Sequence, residues 1–156
     1  MTILITGMSG TGKSTVLAEL GRRGHRVVDT DYGGYAVETA DGQVWDEERV
    51  GALLGTGPDF VSGCVPNQGV FYPRFAAVVL LSAPLDVLLE RVGARTTNPF
   101  GRTPEQRARI AADHAAVEPL LRAGASIELD ARRPVEDLAA EIETISGSPT
   151  RHPPRP

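Results

Sequence analysis

One stretch near the start, Gly7-Met8-Ser9-Gly10-Thr11-Gly12-Lys13-Ser14, constrains this chain more than any other feature. It satisfies G-x-x-x-x-G-K-[ST] at every fixed position, and that spacing carries its own mechanism. Glycines let successive backbone N–H groups turn inward to form an anion nest, and the helix N-terminus behind them adds its positive end. Lys13 then reaches the β and γ phosphates of a nucleoside triphosphate, and the Ser14 hydroxyl faces Mg²⁺. The flanks suit that reading. Thr2 to Thr6 (TILIT) is a short, β-branched, apolar run that reads as a buried strand. Lys13 to Arg23 puts Val16, Leu17 and Leu20 on one helical face and stops at Gly24. Gly7, Ser9, Gly10, Thr11, Gly12, Lys13, Ser14 and Thr15 are the expected nucleotide-binding residues.

Of the 16 basic residues only Lys13 is a lysine. A composition that uses Arg almost everywhere keeps the compact ammonium point charge in the phosphate loop, where the rigid guanidinium fork is a poor substitute. The formal net charge of -4 argues against generic binding to nucleic acid or anionic membrane. No apolar run is long enough to cross a bilayer and no signal-peptide pattern opens the chain, so a cytoplasmic address is expected. Cys64 is the single cysteine and supports neither an internal disulfide nor a cysteine metal site.

Along the 156 residues, strand and helix patterns alternate, which implies one domain with a parallel sheet and helices on both faces. Arg26 to Asp29 reads as the second strand, with Asp29 and Asp31 at its carboxyl end. Gly33 to Gln43 is glycine-rich and polar and reads as irregular. Asp46 to Leu54 reads as a helix, Asp59 to Gly63 as a strand, and Ala76 to Leu81 as the clearest strand of all. Leu85 to Val92 and Glu105 to Arg122 read as helices, Ser126 to Asp130 as the last strand and Val135 to Ile145 as the last helix. Residues 1–146 make the expected domain, with an exposed, mobile lid near 93–104. Residues 147–156 have nothing to bury and are expected to be a disordered tail.

A phosphate loop followed by an apolar strand ending in Asp29-Thr30-Asp31 resembles shikimate kinase and its small-molecule kinase relatives, including adenylate kinase-like and antibiotic phosphotransferase families. The likeness continues in Asp59 to Gly63, in Val78 to Val92 and in the Arg95…Arg102 loop. The fold it implies is α/β, the three-layer α/β/α parallel sheet of the P-loop nucleoside-triphosphate hydrolase fold. The function it implies is transfer of the γ-phosphoryl group of ATP to a hydroxyl of a small molecule, with Mg²⁺. Asp29 would hold Mg²⁺ through water alongside Ser14. Asp31 would serve the acceptor hydroxyl as base or positioner, with Lys13 and the lid Arg102 on the transferring phosphate. Arg95 would lie near the nucleotide, and Arg133, within Asp130 to Pro134, near the adenine ring. A monomer is expected.

Where shikimate kinases place a carboxylate-gripping arginine, this register offers Trp45-Asp46-Glu47-Glu48. Those acids either line a pocket suited to a neutral or cationic acceptor or merely cap a helix. Cys64, Asn67, Gln68, Tyr72 and Arg74 are further candidates for the acceptor pocket. His114 reads as a helix-surface residue, His25 as the approach to a strand and Trp45 as a packing anchor. A nucleoside monophosphate kinase shares the architecture but wants several arginines around a second phosphate. A nucleotide-dependent switch is the other alternative, and the N-K-x-D segment of guanine specificity is absent.

Overall fold

The computed structural model describes residues 1–40, 42–94 and 101–147. Ile3–Thr6 forms β1, buried along its whole length, and Lys13–Arg22 forms α1. Val27–Asp29 is β2, Ala36–Thr39 is β3, Gly42–Trp45 is β4 and Glu47–Gly55 is α2. Phe60–Ser62 is β5, a 3-10 helix spans Gln68–Arg74, and Ala77–Ser82 is β6. Leu85–Ala94 is α3, Pro104–Gly124 is α4, Ile127–Asp130 is β7 and Val135–Gly147 is α5.

The main sheet is all parallel, in the order β2-β5-β1-β6-β7. Successive side chains of a strand point to opposite faces, and β1 uses both. Ile3 and Ile5 pack with Val16, Leu17 and Leu20 of α1 and with Leu138 and Ile142 of α5. Leu4 faces the other way, into a cluster with Trp45, Val50, Leu54, Phe71 and Phe75. Leu4, Ile5 and Leu20 are completely buried, and burying such a side chain is worth about 1.5–3 kcal/mol. The strand order reverses at β1, so the loop after β1 opens into a crevice at the carboxyl ends of the strands.

Helix starts follow their chemistry. Asp46 caps α2, its Oδ1 accepting from the Arg49 N–H at 3.1 Å, with Glu47 and Glu48 in the first turn. Thr103 and Gln106 form a capping box on α4, and Pro104 follows at its first position.

The expected elements all form, with one correction. The segment 33–43, expected to be irregular, contains most of an antiparallel hairpin, in which Val37 pairs with Val44 and Thr39 with Gly42. Its hold on the domain lies outside its own sequence. Asn67 Oδ1 accepts from the Trp45 N–H at 2.9 Å and Asn67 Nδ2 donates to the Trp45 carbonyl at 3.0 Å. The expected tail, residues 147–156, lies outside the described residues apart from Gly147, which ends α5.

Candidate active site

The phosphate loop is held by close approach. A Cβ on Gly7 would stand 2.4 Å from the Leu81 carbonyl oxygen, so only glycine lets the chain leave β1 here. Gly12 has φ +85° and caps α1 in the left-handed region, where a side chain costs backbone strain although the space is open. Thr11 closes the loop by donating its hydroxyl to the Met8 carbonyl at 2.8 Å. Lys13 Nζ donates to the Gly7 carbonyl at 2.6 Å and the Met8 carbonyl at 3.3 Å, which holds the ammonium across the mouth of the loop.

The two carboxylates come together with the loop as expected. Ser14 Oγ donates to Asp29 Oδ2 at 2.8 Å, and the Asp31 N–H donates to Asp29 Oδ1 at 3.0 Å. Thr30 between them is buried. Its hydroxyl donates to the Ser62 carbonyl at 2.7 Å and accepts from Trp45 Nε1 at 3.0 Å. That anchor fixes the backbone that carries both acids, and it makes Trp45 the expected packing residue. The Asp31 carboxyl is pushed above its ordinary range, first by loss of water, then by the Asp29 charge, with Lys13 pulling the other way.

Two clefts meet at this point. One, of about 560 Å³, is lined by residues 9–16 of the loop and helix, by Arg91 of α3, and by Ala131, Arg133 and Val135. The other, of about 730 Å³, is lined by Gly7, Met8, Cys64, Gln68, Tyr72 and the α4 residues Arg109, Asp113, Val117 and Leu120, with Gln43 from the hairpin. Ser9, Lys13 and Asp31 line both.

Other expected residues fall variously. Ser9, Gly10, Thr11, Gly12, Ser14 and Thr15 line the first cleft, and Gly7 lines the second. Arg133 lines the first cleft, and its guanidinium is paired with Glu141. Arg132 turns aside onto Asp130, whose carboxyl it holds down to about 2. Arg102 sits just before the cap of α4, its N–H donating to Gln106, and lines neither cleft. Arg95 and half of the expected lid loop, residues 95–100, lie outside the described residues.

Cys64, Gln68 and Tyr72 line the second cleft, whereas Asn67 holds the hairpin and Arg74 donates to the Gly51 carbonyl. Asp46 to Glu48 cap α2 and line neither cleft, so the acid-lined pocket they suggested is not there. His114 is not a plain surface residue. Its Nε2 stands 2.9 Å from the buried Glu118 carboxylate, where α4 meets the ends of β6 and β7.

Sequence reasoning missed Arg91, Arg109 and Asp113. Arg91 donates to the Ala131 carbonyl at 2.8 Å and to the Gly10 carbonyl at 3.4 Å, tying the phosphate loop to the loop after β7. Its signal was a lone arginine in the last turn of a helix, which helix-dipole chemistry explains equally well.

A glycine-framed phosphate loop at the carboxyl end of a central parallel strand, with a Ser–Asp pair beside it, defines a P-loop nucleotide-binding protein of the kinase-like kind. Residues 3–112 match the family described as AAA domain, and the chain belongs to that family.

Among solved structures the fold is similar to shikimate kinase from Acinetobacter baumannii in complex with shikimate. The TM-score is 0.68 at 20% identity, over 96% of this chain and 94% of that one. Shikimate kinase from Bacteroides thetaiotaomicron gives 0.65 at 19% identity, over 93% and 97%. A gluconokinase from Sinorhizobium meliloti gives 0.57 at 17% identity, over 94% and 91%. In sequence, the chain is 38% identical over 85 residues to HPr kinase/phosphorylase of Clostridium tetani, covering 54% of this chain. The match takes in about a quarter of that relative's length, 24%. Among the described residues no helix is long and apolar enough to cross a membrane.

Proposed function

We propose that this protein is an ATP-dependent phosphotransferase that moves the γ-phosphoryl group to a hydroxyl of a small molecule. The observation that carries the reading is the junction of the two clefts, where Lys13 and Asp31 line both. A nucleotide seated on the loop would present its terminal phosphate at that junction, and a hydroxyl in the second cleft would approach it from the Asp31 side.

Phosphoryl transfer depends mostly on positioning and charge stabilisation. Asp31 orients the acceptor hydroxyl and takes its proton as the oxygen bonds to the γ-phosphorus. The bond from that phosphorus to the β–γ bridging oxygen breaks, and ADP leaves. The upward push on the Asp31 carboxyl makes it a better proton acceptor than an ordinary aspartate. Lys13 leaves the Gly7 and Met8 carbonyls for the phosphate oxygens.

Ser14 Oγ and Asp29 Oδ2 are hard oxygen donors 2.8 Å apart at the loop, a set that fits Mg²⁺ with its retained waters. When bound, the ion would neutralise charge on the β and γ phosphates. Ser14 would turn from Asp29 toward the ion, leaving Asp29 to hold its waters. Arg91 and Arg133 flank the region where the base would lie.

A nucleoside monophosphate acceptor fits less well, because Arg109 is the one arginine lining the acceptor cleft among the described residues. The second cleft itself favours an enzyme over a switch. The test is to supply γ-labelled ATP with hydroxylated metabolites, nucleosides and aminoglycosides in turn. Label in an acceptor ester, lost in Lys13→Ala, is the expected result. Label that stays in ATP, or passes only to water at a rate no acceptor changes, contradicts the proposal.

A further inference from the structure

The acceptor cleft has charge on two walls. On the loop side stand Lys13 and Asp31, both used by the transfer itself. Gln68 is buried and its side chain is already engaged within the fold. Its Nε2 donates to Thr6 Oγ1 at 3.1 Å and Tyr72 Oη at 2.9 Å, and its Oε1 accepts from the Val65 N–H at 2.9 Å. From α4 come Arg109 and Asp113, which also line the cleft.

These two lie one turn apart, about 6 Å along the helix axis, a spacing at which opposite charges commonly pair. They do not pair here, and neither side chain has a hydrogen bond or ion pair among the described residues. The order works against pairing, since an acid placed four residues before a base suits the helix better than the reverse. The remainder of α4 behaves differently. Arg122 meets both Glu118 and Glu128, while the buried His114 Nε2 and Glu118 Oε2 lie 2.9 Å apart without a hydrogen bond. One helix thus pairs Arg122 with two carboxylates on the side facing β7 and leaves Arg109 and Asp113 open among the residues that line the cleft.

A ligand in this cleft loses water on being enclosed, and so do the charges it covers. A singly charged acceptor would leave one of the two protein charges without a partner and close to a like charge, which is costly. An acceptor bearing both signs satisfies both. Val117, Leu120 and Leu121 beside them offer apolar contact to a carbon skeleton. Resting on the phosphotransfer reading above, we infer that the acceptor is a hydroxylated zwitterion, with its anionic group on Arg109 and its ammonium group on Asp113.

Acceptors that share a skeleton and differ only in charge test this. L-homoserine is set against γ-hydroxybutyrate, propanolamine and propanol, and hydroxyproline against hydroxypyrrolidine. The readout is acceptor-dependent ADP formation with the full chain, ATP and Mg²⁺. At least one zwitterion is expected to exceed each of its singly charged and neutral counterparts in kcat/KM by about tenfold or more, the value of one charge-assisted hydrogen bond. Arg109→Gln should erase the preference over the ammonium-only analogue, and Asp113→Asn the preference over any carboxylate-only analogue, both through KM with kcat little changed.

A panel without any zwitterion preference overturns the inference, as do variants that depress every acceptor equally. Calorimetry with ATP separates the two readings. Wild-type protein that binds no ATP sinks the phosphotransfer reading as well. Protein that binds ATP and phosphorylates singly charged or neutral acceptors equally well sinks only this inference.

Discussion

The nucleotide-side cleft and the acceptor cleft share Lys13 and Asp31, yet they are built by different physics. The first is built around the phosphate loop, one continuous segment that would work through its backbone: Gly7 threads past the Leu81 carbonyl, Gly12 turns into the helix, and the N–H groups would do the binding. The acceptor cleft is made of side chains from distant places, with Gln43, Cys64, Tyr72, Arg109 and Asp113 brought together by the fold. A backbone site tolerates little change, whereas a side-chain site can change its ligand by substitution. The first should therefore govern whether nucleotide binds, and the second what receives the phosphate.

Substitutions on either side should respect that division, and Lys13→Ala should have the largest effect. It removes a point charge from the γ-phosphate, so turnover should fall by about 10²–10³-fold or more with every acceptor. Steady-state ADP release checks this, and a loss confined to some acceptors would break the division. Gly7→Ala should come next. Its methyl would meet the Leu81 carbonyl, and forcing the contact should cost about 1–3 kcal/mol of stability together with ATP affinity. Denaturant unfolding and calorimetry measure both.

Trp45→Phe tests the other side. It loses the Nε1 bond to Thr30 and some buried volume, about 1–2 kcal/mol in all. Because Trp45 ends the hairpin that carries Gln43, acceptor KM should rise while ATP affinity changes little; equal losses in both would argue that the two regions act as one.

The smallest effect concerns pH. The Asp31 carboxyl titrates higher in the folded chain than its ordinary 3.8, so the folded state holds its proton more tightly than the unfolded one. Stability is then lost as pH rises from the unfolded value through the folded one, and the cost persists at neutral pH. Asp31→Asn should raise the melting temperature at neutral pH, and the gain should vanish in acid. A destabilised Asp31→Asn protein would mean that the acid makes a favourable contact the geometry does not show.

How far each region could be read from the sequence follows the same line. The loop and its flanking elements were legible because motif, strand and helix are local, and Asp29-Thr30-Asp31 because it follows directly at the carboxyl end of a strand, although Asp31 itself lies in the turn after β2. The hairpin was hidden by the glycines and polar residues around four-residue strands, and its anchors, Asn67 and Thr30, are remote in sequence. Arg109 and Asp113 look like an ordinary solvated helix face. Their spacing is that of Glu118 and Arg122, which do pair, and only the order of the charges sets the two pairs apart. Asp46 to Glu48 left two readings open for the converse reason, since acids that open a helix read the same whether they cap it, as they do here, or line a pocket.

The most direct test of the central claim, that phosphate crosses from one cleft to the other at Asp31, is Asp31→Asn assayed two ways. ATP affinity is measured by calorimetry, and kcat with an acceptor that the wild-type protein phosphorylates. Retained ATP affinity with kcat lowered by about 10²–10⁴-fold is the expected outcome, the range for a lost general base or positioner. Near-normal kcat in Asp31→Asn would contradict the account.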